Sequence, residues 1–284
     1  LEHILNHFDD TDFEYDHEPG EKILNATLSG FYNRLFPVKF CLRVLLTLHM
    51  DMPTLLVDDE FGEHGSGLVE VHQDPTIINF RKRASQMAAF TRDAFLEIDQ
   101  TTGQGHGANL TVAFPSSNQQ KSIERFETQF VGSSRDYGRG ALCELGLMNI
   151  DEDGNVKISL HGIEFALLEN PIIDQHLPKA WKNGTTLSDK EINWLLSYIK
   201  WKLPVEFDFM STTIEHIKEA NNTPNKLDGA LATKFGWSGS EASTMRKGVI
   251  GRMQERRLIV REKKGRTVTY QVTTLGSALI QPPD

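Results

Sequence analysis

Between Ser238 and Ile280 the spacing of apolar residues switches from that of a helix to that of a strand, and this switch constrains the chain more than any other feature. Ser238 and Ser240, with Glu241 close behind, supply a helix cap. Ala242, Met245, Val249 and Met253 recur at spacings of three and four, which is one stripe of a helix. Leu258, Ile259 and Val260 form a β-prone run. Lys263-Lys264-Gly265-Arg266 then reads as a turn, with glycine where a positive φ is needed. From Thr267 onward, Val268, Tyr270 and Val272 alternate with Thr267, Thr269 and Gln271, the pattern of a strand. Upstream, Ile214 and Ile217 fit one helix, and Asn222-Thr223-Pro224 breaks it. Leu227, Leu231 and Phe235 fit a short second helix closed by Gly236.

This order of elements, three helices followed by a strand, a basic turn and a strand, resembles the winged-helix (winged helix-turn-helix) DNA-binding superfamily. The resemblance covers residues 206–284. It implies a third helix, 240–255, that enters a DNA groove, and a basic wing, 261–266, that meets phosphates.

The middle of the chain carries the same order. With Leu147 set on Leu258, Arg135 falls on Arg246, Gly140 on Gly251, Glu144 on Glu255 and Gly154 on Gly265. The exits also look alike, His161-Gly162 leading to Phe165-Ala166-Leu167 and Leu275-Gly276 to Ala278-Leu279. A second, divergent winged helix is therefore expected. Its third helix spans Ser134 to Leu145, its strands Leu147 to Ile150 and Val156 to Leu160, and its early helices Phe36 to Met50 and Ser122 to Val131. Its turn is Asp151-Glu152-Asp153, whose carboxylates repel phosphate, so protein or a second copy of the chain is the expected partner there. Arg135 and Arg139 lie on its third helix.

The expected fold class is mostly α with small β-hairpins (α+β): tandem winged-helix domains joined by a helical linker. The boundaries are an acidic arm at 1–27, a divergent winged helix at 28–175 with a long insertion at 51–118, a linker and amphipathic helix at 176–205, and the C-terminal winged helix at 206–284. Ser188 with Glu191 three residues on is a capping box for the linker helix, which carries Ile192, Leu195 and Ile199. That helix is expected to bridge the two units or to form a dimer seam.

Charge is distributed unevenly. The net charge is −9, which alone argues against a general nucleic-acid binder. Yet Asp9, Asp10, Asp12, Glu14, Asp16, Glu18 and Glu21 crowd the first stretch, whereas Lys and Arg dominate after Pro224. Two cysteines, Cys41 and Cys143, sit in apolar helical patterns and read as buried free thiols. No signal peptide or membrane span is read, and a cytoplasmic, nucleoid-associated location is expected.

Few residues suggest chemistry. Asp10, Asp12, Glu14 and Glu21 match the ligand spacing of a calcium loop, but Tyr15 stands where the sharp turn needs glycine. His3 and His7 lack a third ligand. The glycines of TTGQGHGAN (101–109) lack the Lys-Ser or Lys-Thr of a phosphate loop. No catalytic residue, metal or cofactor is expected. The candidate DNA-binding residues are Ser240, Ser243, Thr244, Arg246, Lys247 and Gln254 on the helix, with Arg261, Lys263, Lys264 and Arg266 on the wing. Opposite the apolar stripe the helix is small and polar, as a groove of about 12 Å requires. Gly248 and Gly251 suit close approach of the helix backbone to another surface. Double-stranded DNA is thus the expected partner, with a homodimer or a protein bound through the N-terminal domain. A protein-interaction adaptor that does not bind DNA is the alternative, and a regulator with a ligand pocket in the glycine-rich insertion a third.

Overall fold

The computed structural model describes residues 28, 30, 32–51, 55–57, 69–71, 75–103, 110–132, 140–174 and 186–280. The acidic arm, the glycine-rich run 104–109, and Arg135 and Arg139 lie outside the described residues. The described chain is mostly helical with small antiparallel hairpins, an α+β protein. It divides into two compact units.

The first unit contains Lys39–Glu97 and Phe114–Leu167. Its helices are α1 (Phe36–Asp51, which starts just upstream), α2 (Ile77–Thr102), α3 (Gln120–Phe126, extended by a wider π turn, Glu127–Val131), α4 (Ala141–Glu144) and α5 (Leu160–Leu167). Strands β1 (Leu55–Val57) and β2 (Val69–Val71) pair with each other, as do β3 (Met148–Ile150) and β4 (Val156–Ile158). Phe40, Phe114, Phe126 and Phe130 pack through tilted and edge-on ring contacts into an aromatic core. Cys41 and Cys143 are free and buried, and burial pushes both thiols up. Much of the stretch expected as an insertion is α2, a helix of 26 residues whose Phe80, Ala84 and Ala88 are buried. The segment before α2 also pairs with the hairpin: Val156 N donates to Pro75 O (2.8 Å) and Ile77 N to Gly154 O (2.8 Å).

The second unit contains Leu168–Asp284 and the stretch that ends at Val38. Its elements are α6 (Asp189–Lys202), α7 (Pro204–Lys218), α8 (Pro224–Phe235), α9 (Gly239–Glu255), β5 (Ile259–Lys264), β6 (Thr267–Val272) and α10 (Thr274–Leu279). The sequence signals act where they stand. Ser188 and Glu191 form both bonds of the capping box, Gly236 ends α8 with φ 69°, and Ser238 caps α9. Leu227, Leu231, Ala242, Val249, Met253 and Leu258 are buried together with Phe209 and Ile214. Helix α6, expected as a linker, packs on α7 inside this unit, with Ile192, Leu195 and Ile199 buried. Tyr270 N donates to Asn222 O (2.8 Å), so the segment before α8 also pairs with its hairpin.

The two hairpin entries share a hydrogen-bond pattern. Leu147 N donates to Leu142 O and Leu258 N to Met253 O, each at 2.9 Å. The preceding residues, Gly146 and Arg257, have φ of 66° and 58°. Ser159 Oγ donates to Gly146 O (2.9 Å) and accepts from Gly162 N (3.0 Å). Thr273 Oγ1 does the same with Arg257 O (2.7 Å) and Gly276 N (3.0 Å). A Cβ at Gly162 would lie 2.1 Å from Leu147 O, and one at Gly276 would lie 2.1 Å from Leu258 O. Both glycines therefore admit no side chain. Among the described residues no helix is long and apolar enough to cross a membrane.

Candidate nucleic-acid interface

The hairpin β5–β6 is in the register that its alternation demands. Arg261 stands opposite Tyr270 and Lys263 opposite Val268, on the face that holds the buried Ile259. Gly265, at φ 61°, allows the tight reversal. Arg261, Lys263, Lys264 and Arg266 are all exposed, and among the described residues none forms an ion pair. On α9, Ser240 and Lys247 are exposed, and Ser243, Thr244 and Gln254 are half-buried.

Arg246 does not join this surface. Its side chain is buried, with Nε donating to Asp228 Oδ1 (2.5 Å) and Nη1 to Tyr270 Oη (3.0 Å). It ties α9 to α8 and β6. Arg256, at the end of α9, is likewise fully buried. On a helical wheel Arg246 lies about 60° from the centre of the apolar stripe, so it flanks the core rather than opposing it.

One flank of α9 is covered by the protein's own backbone. Thr244, Gly248, Gly251 and Glu255 form a stripe on which a strap is laid, whose described residues are Leu28, Gly30 and 32–35. A Cβ at Gly248 would lie 2.6 Å from Gly30 Cα, and one at Gly251 2.4 Å from Asn33 O. The surface approached by these glycines is thus the chain itself.

Buried charges pin the strap. Arg252 pairs with Glu206 of α7, Nη2 to Oε1 at 2.8 Å, and its Nη1 donates to Tyr32 O (2.6 Å). Leu28 N donates to Glu206 Oε2 (3.0 Å). Glu255 accepts from Leu35 N, from Phe36 N (3.1 Å) and from Thr186 Oγ1 (2.7 Å), so its carboxylate caps the start of α1. Arg256 completes the group, its Nε donating to Arg252 O (3.1 Å). Burial pulls its guanidinium down to about 10, with Arg252 acting in the same direction against Glu206 and Glu255. None of this was legible in local pattern, because Leu28 and Glu206 are 178 positions apart.

Between strap, α9 and hairpin lies an open recess of about 470 Å³. Arg34, Lys247 and Arg261 stand on its rim and Ile250 and Tyr270 on its floor. Among the described residues no group of three or more His, Cys, Asp or Glu could hold a metal. Comparison with protein families, with curated proteins and with solved structures finds no match.

Proposed function

We propose that this protein binds duplex DNA through a winged-helix unit formed by α7, α8, α9 and the β5–β6 hairpin, in a role in transcription regulation or genome maintenance. The observation that carries this reading is the row of exposed, unpaired cations on the hairpin, Arg261, Lys263, Lys264 and Arg266, beside the polar side of α9. Phosphates would be held by the hairpin tip, which supplies affinity without sequence information. Because the strap covers the Thr244–Gly251 flank, base contacts fall to Ser240, Ser243, Lys247 and Gln254, on the side of α9 that the strap leaves uncovered.

The matching bonds at the two hairpin entries support a tandem reading, in which the first unit is a divergent copy. Its second helix would then be α2 in place of the expected 122–131, since Pro75 pairs with its hairpin as Asn222 does with the other. Its acidic turn suits a protein partner or a second copy of the chain.

The test is fluorescence anisotropy with a duplex across a salt series. Replacing Lys263, Lys264 and Arg266 by Glu is expected to weaken binding about 100-fold at ~0.1 M salt and to lower the salt slope by about 0.9 for each phosphate left without its cation. Affinity and slope unchanged in that variant would remove the reading. An adaptor function is the second reading, and the strap favours it: the glycine-lined flank of α9 already accepts a length of backbone. It gains if the intact protein leaves duplex unbound even at ~50 mM salt. Sedimentation of the same samples tests for a homodimer.

A further inference from the structure

We propose that the recess between the strap, α9 and the hairpin binds a single nucleotide unit, a phosphate attached to a ring. The recess holds about 470 Å³, within the usual range of small-molecule sites of roughly 300–1,000 Å³. It is concave, whereas a duplex groove receives a convex element.

Its chemistry is divided. Arg34 reaches it from the strap, Lys247 from α9 and Arg261 from β5, and among the described residues none of the three forms an ion pair. Among the described residues no carboxylate lines the recess. Three positive charges from three separate elements thus converge on one opening, which selects an anion. Arg246, the fourth cation in the lining, is already neutralised by Asp228.

The floor is different. Ile250 and Tyr270 are buried, and Val268 stands beside them. A bare phosphate would leave these walls uncovered, whereas a purine or pyrimidine would lie against them. Asn33 and Gln254 supply amide donors and acceptors for ring edges or a sugar. Tyr270 Oη accepts from Arg246, which leaves its O–H to donate. The nucleotide could be free or the last unit of a strand, and both present this same chemistry. The strand-borne form rests on the DNA reading above; the free form does not.

The experiment is calorimetric titration of the full chain with adenosine monophosphate, inorganic phosphate and adenosine, alongside anisotropy with a blunt duplex and with the same duplex carrying a one-nucleotide overhang. Adenosine monophosphate is expected to bind about tenfold or more tightly than either fragment. Arg261→Glu, and Gln254→Trp, which fills the space without removing a charge, should each weaken it by about tenfold or more, while Arg261→Lys keeps most of the affinity. Changing Lys263, Lys264 and Arg266, which do not line the recess, to Gln should weaken it less than Arg261→Glu does. If the overhang adds affinity that Gln254→Trp removes, the unit is strand-borne; if it adds none, the ligand is free. Adenosine monophosphate binding without duplex binding would fell the DNA reading alone. Adenosine monophosphate binding no tighter than phosphate, or left untouched by both recess variants in folded protein, overturns the proposal.

Discussion

A methyl group at Gly248 would press on Gly30 Cα at 2.6 Å, and one at Gly251 on Asn33 O at 2.4 Å, with rigid backbone on both sides. Two effects of opposite sign meet here. Replacing a helical glycine by alanine gains about 1 kcal/mol of helix propensity, while forcing apart packed backbone costs about 1–3 kcal/mol. Steric overlap wins if the strap is in place, so Gly248→Ala and Gly251→Ala are each expected to lower the denaturant midpoint. A raised midpoint would mean that the strap does not lie on α9. The buried charges behave differently again. Glu206, Glu255, Arg252 and Arg256 balance in formal charge. Removing Arg252 alone strands Glu206, which is completely buried and also receives Leu28 N. Arg252→Met is expected to cost about 3–5 kcal/mol, and Arg252→Met with Glu206→Leu appreciably less than the two single losses combined. Additive losses in equilibrium unfolding would show that the two side chains are not coupled.

Among the elements, those set by local chemistry were the legible ones. The cap at Ser238, the capping box at Ser188, the stop at Gly236 and the alternation of β6 all act over a few residues, and each appears where its residues stand. The exits at Gly162 and Gly276 were legible as a repeated pair, and the structure gives the reason: a Cβ at either would lie 2.1 Å from a carbonyl oxygen, so neither position has room for one. What failed was partner choice across distance. The strap, the burial of Arg252 and Arg256, and the placement of α6 depend on segments far apart in sequence, which periodicity does not encode. The acidic turn of β3–β4 shows local chemistry at work. Asp151 accepts from Asp153 N (3.1 Å), Asn155 N (2.8 Å) and Asn155 Nδ2 (3.2 Å). Partial burial, which would raise its pKa, is outweighed by the Asn155 and Asp153 bonds and by Lys157, so the carboxyl lies below its ordinary value. A lowered carboxylate adds stability that is present above its unfolded pKa and lost as pH falls through the folded value. Asp151→Asn should therefore lower stability at neutral pH, with the gap to the parent closing in acid. A gap that persists unchanged at low pH would assign the turn's order to something other than this charge.

At the scale of the whole molecule the question is how a chain of net charge −9 meets a polyanion. Acid and base are separated along the sequence, with seven carboxylates from Asp9 to Glu21 and the exposed cations on β5 and the turn that follows it. Exposed charges interact over roughly a Debye length, about 10 Å at 0.1 M salt and about 30 Å at 0.01 M. The acidic stretch therefore opposes DNA by two routes that salt separates. As a general field it repels phosphate, and this repulsion fades as salt rises. As a competitor lying on the hairpin it would leave a penalty at higher salt too, since close pairs are screened less. Changing Asp9, Asp10, Asp12, Asp16 to Asn and Glu14, Glu18, Glu21 to Gln is expected to raise duplex affinity by about tenfold or more at ~0.02 M salt, with the gain shrinking towards unity by ~0.3 M. Anisotropy of parent and neutralised chains over that range reads both quantities. No gain at low salt would show that the front of the chain is electrostatically silent towards DNA, and a gain that survives at high salt would place it directly against the basic hairpin.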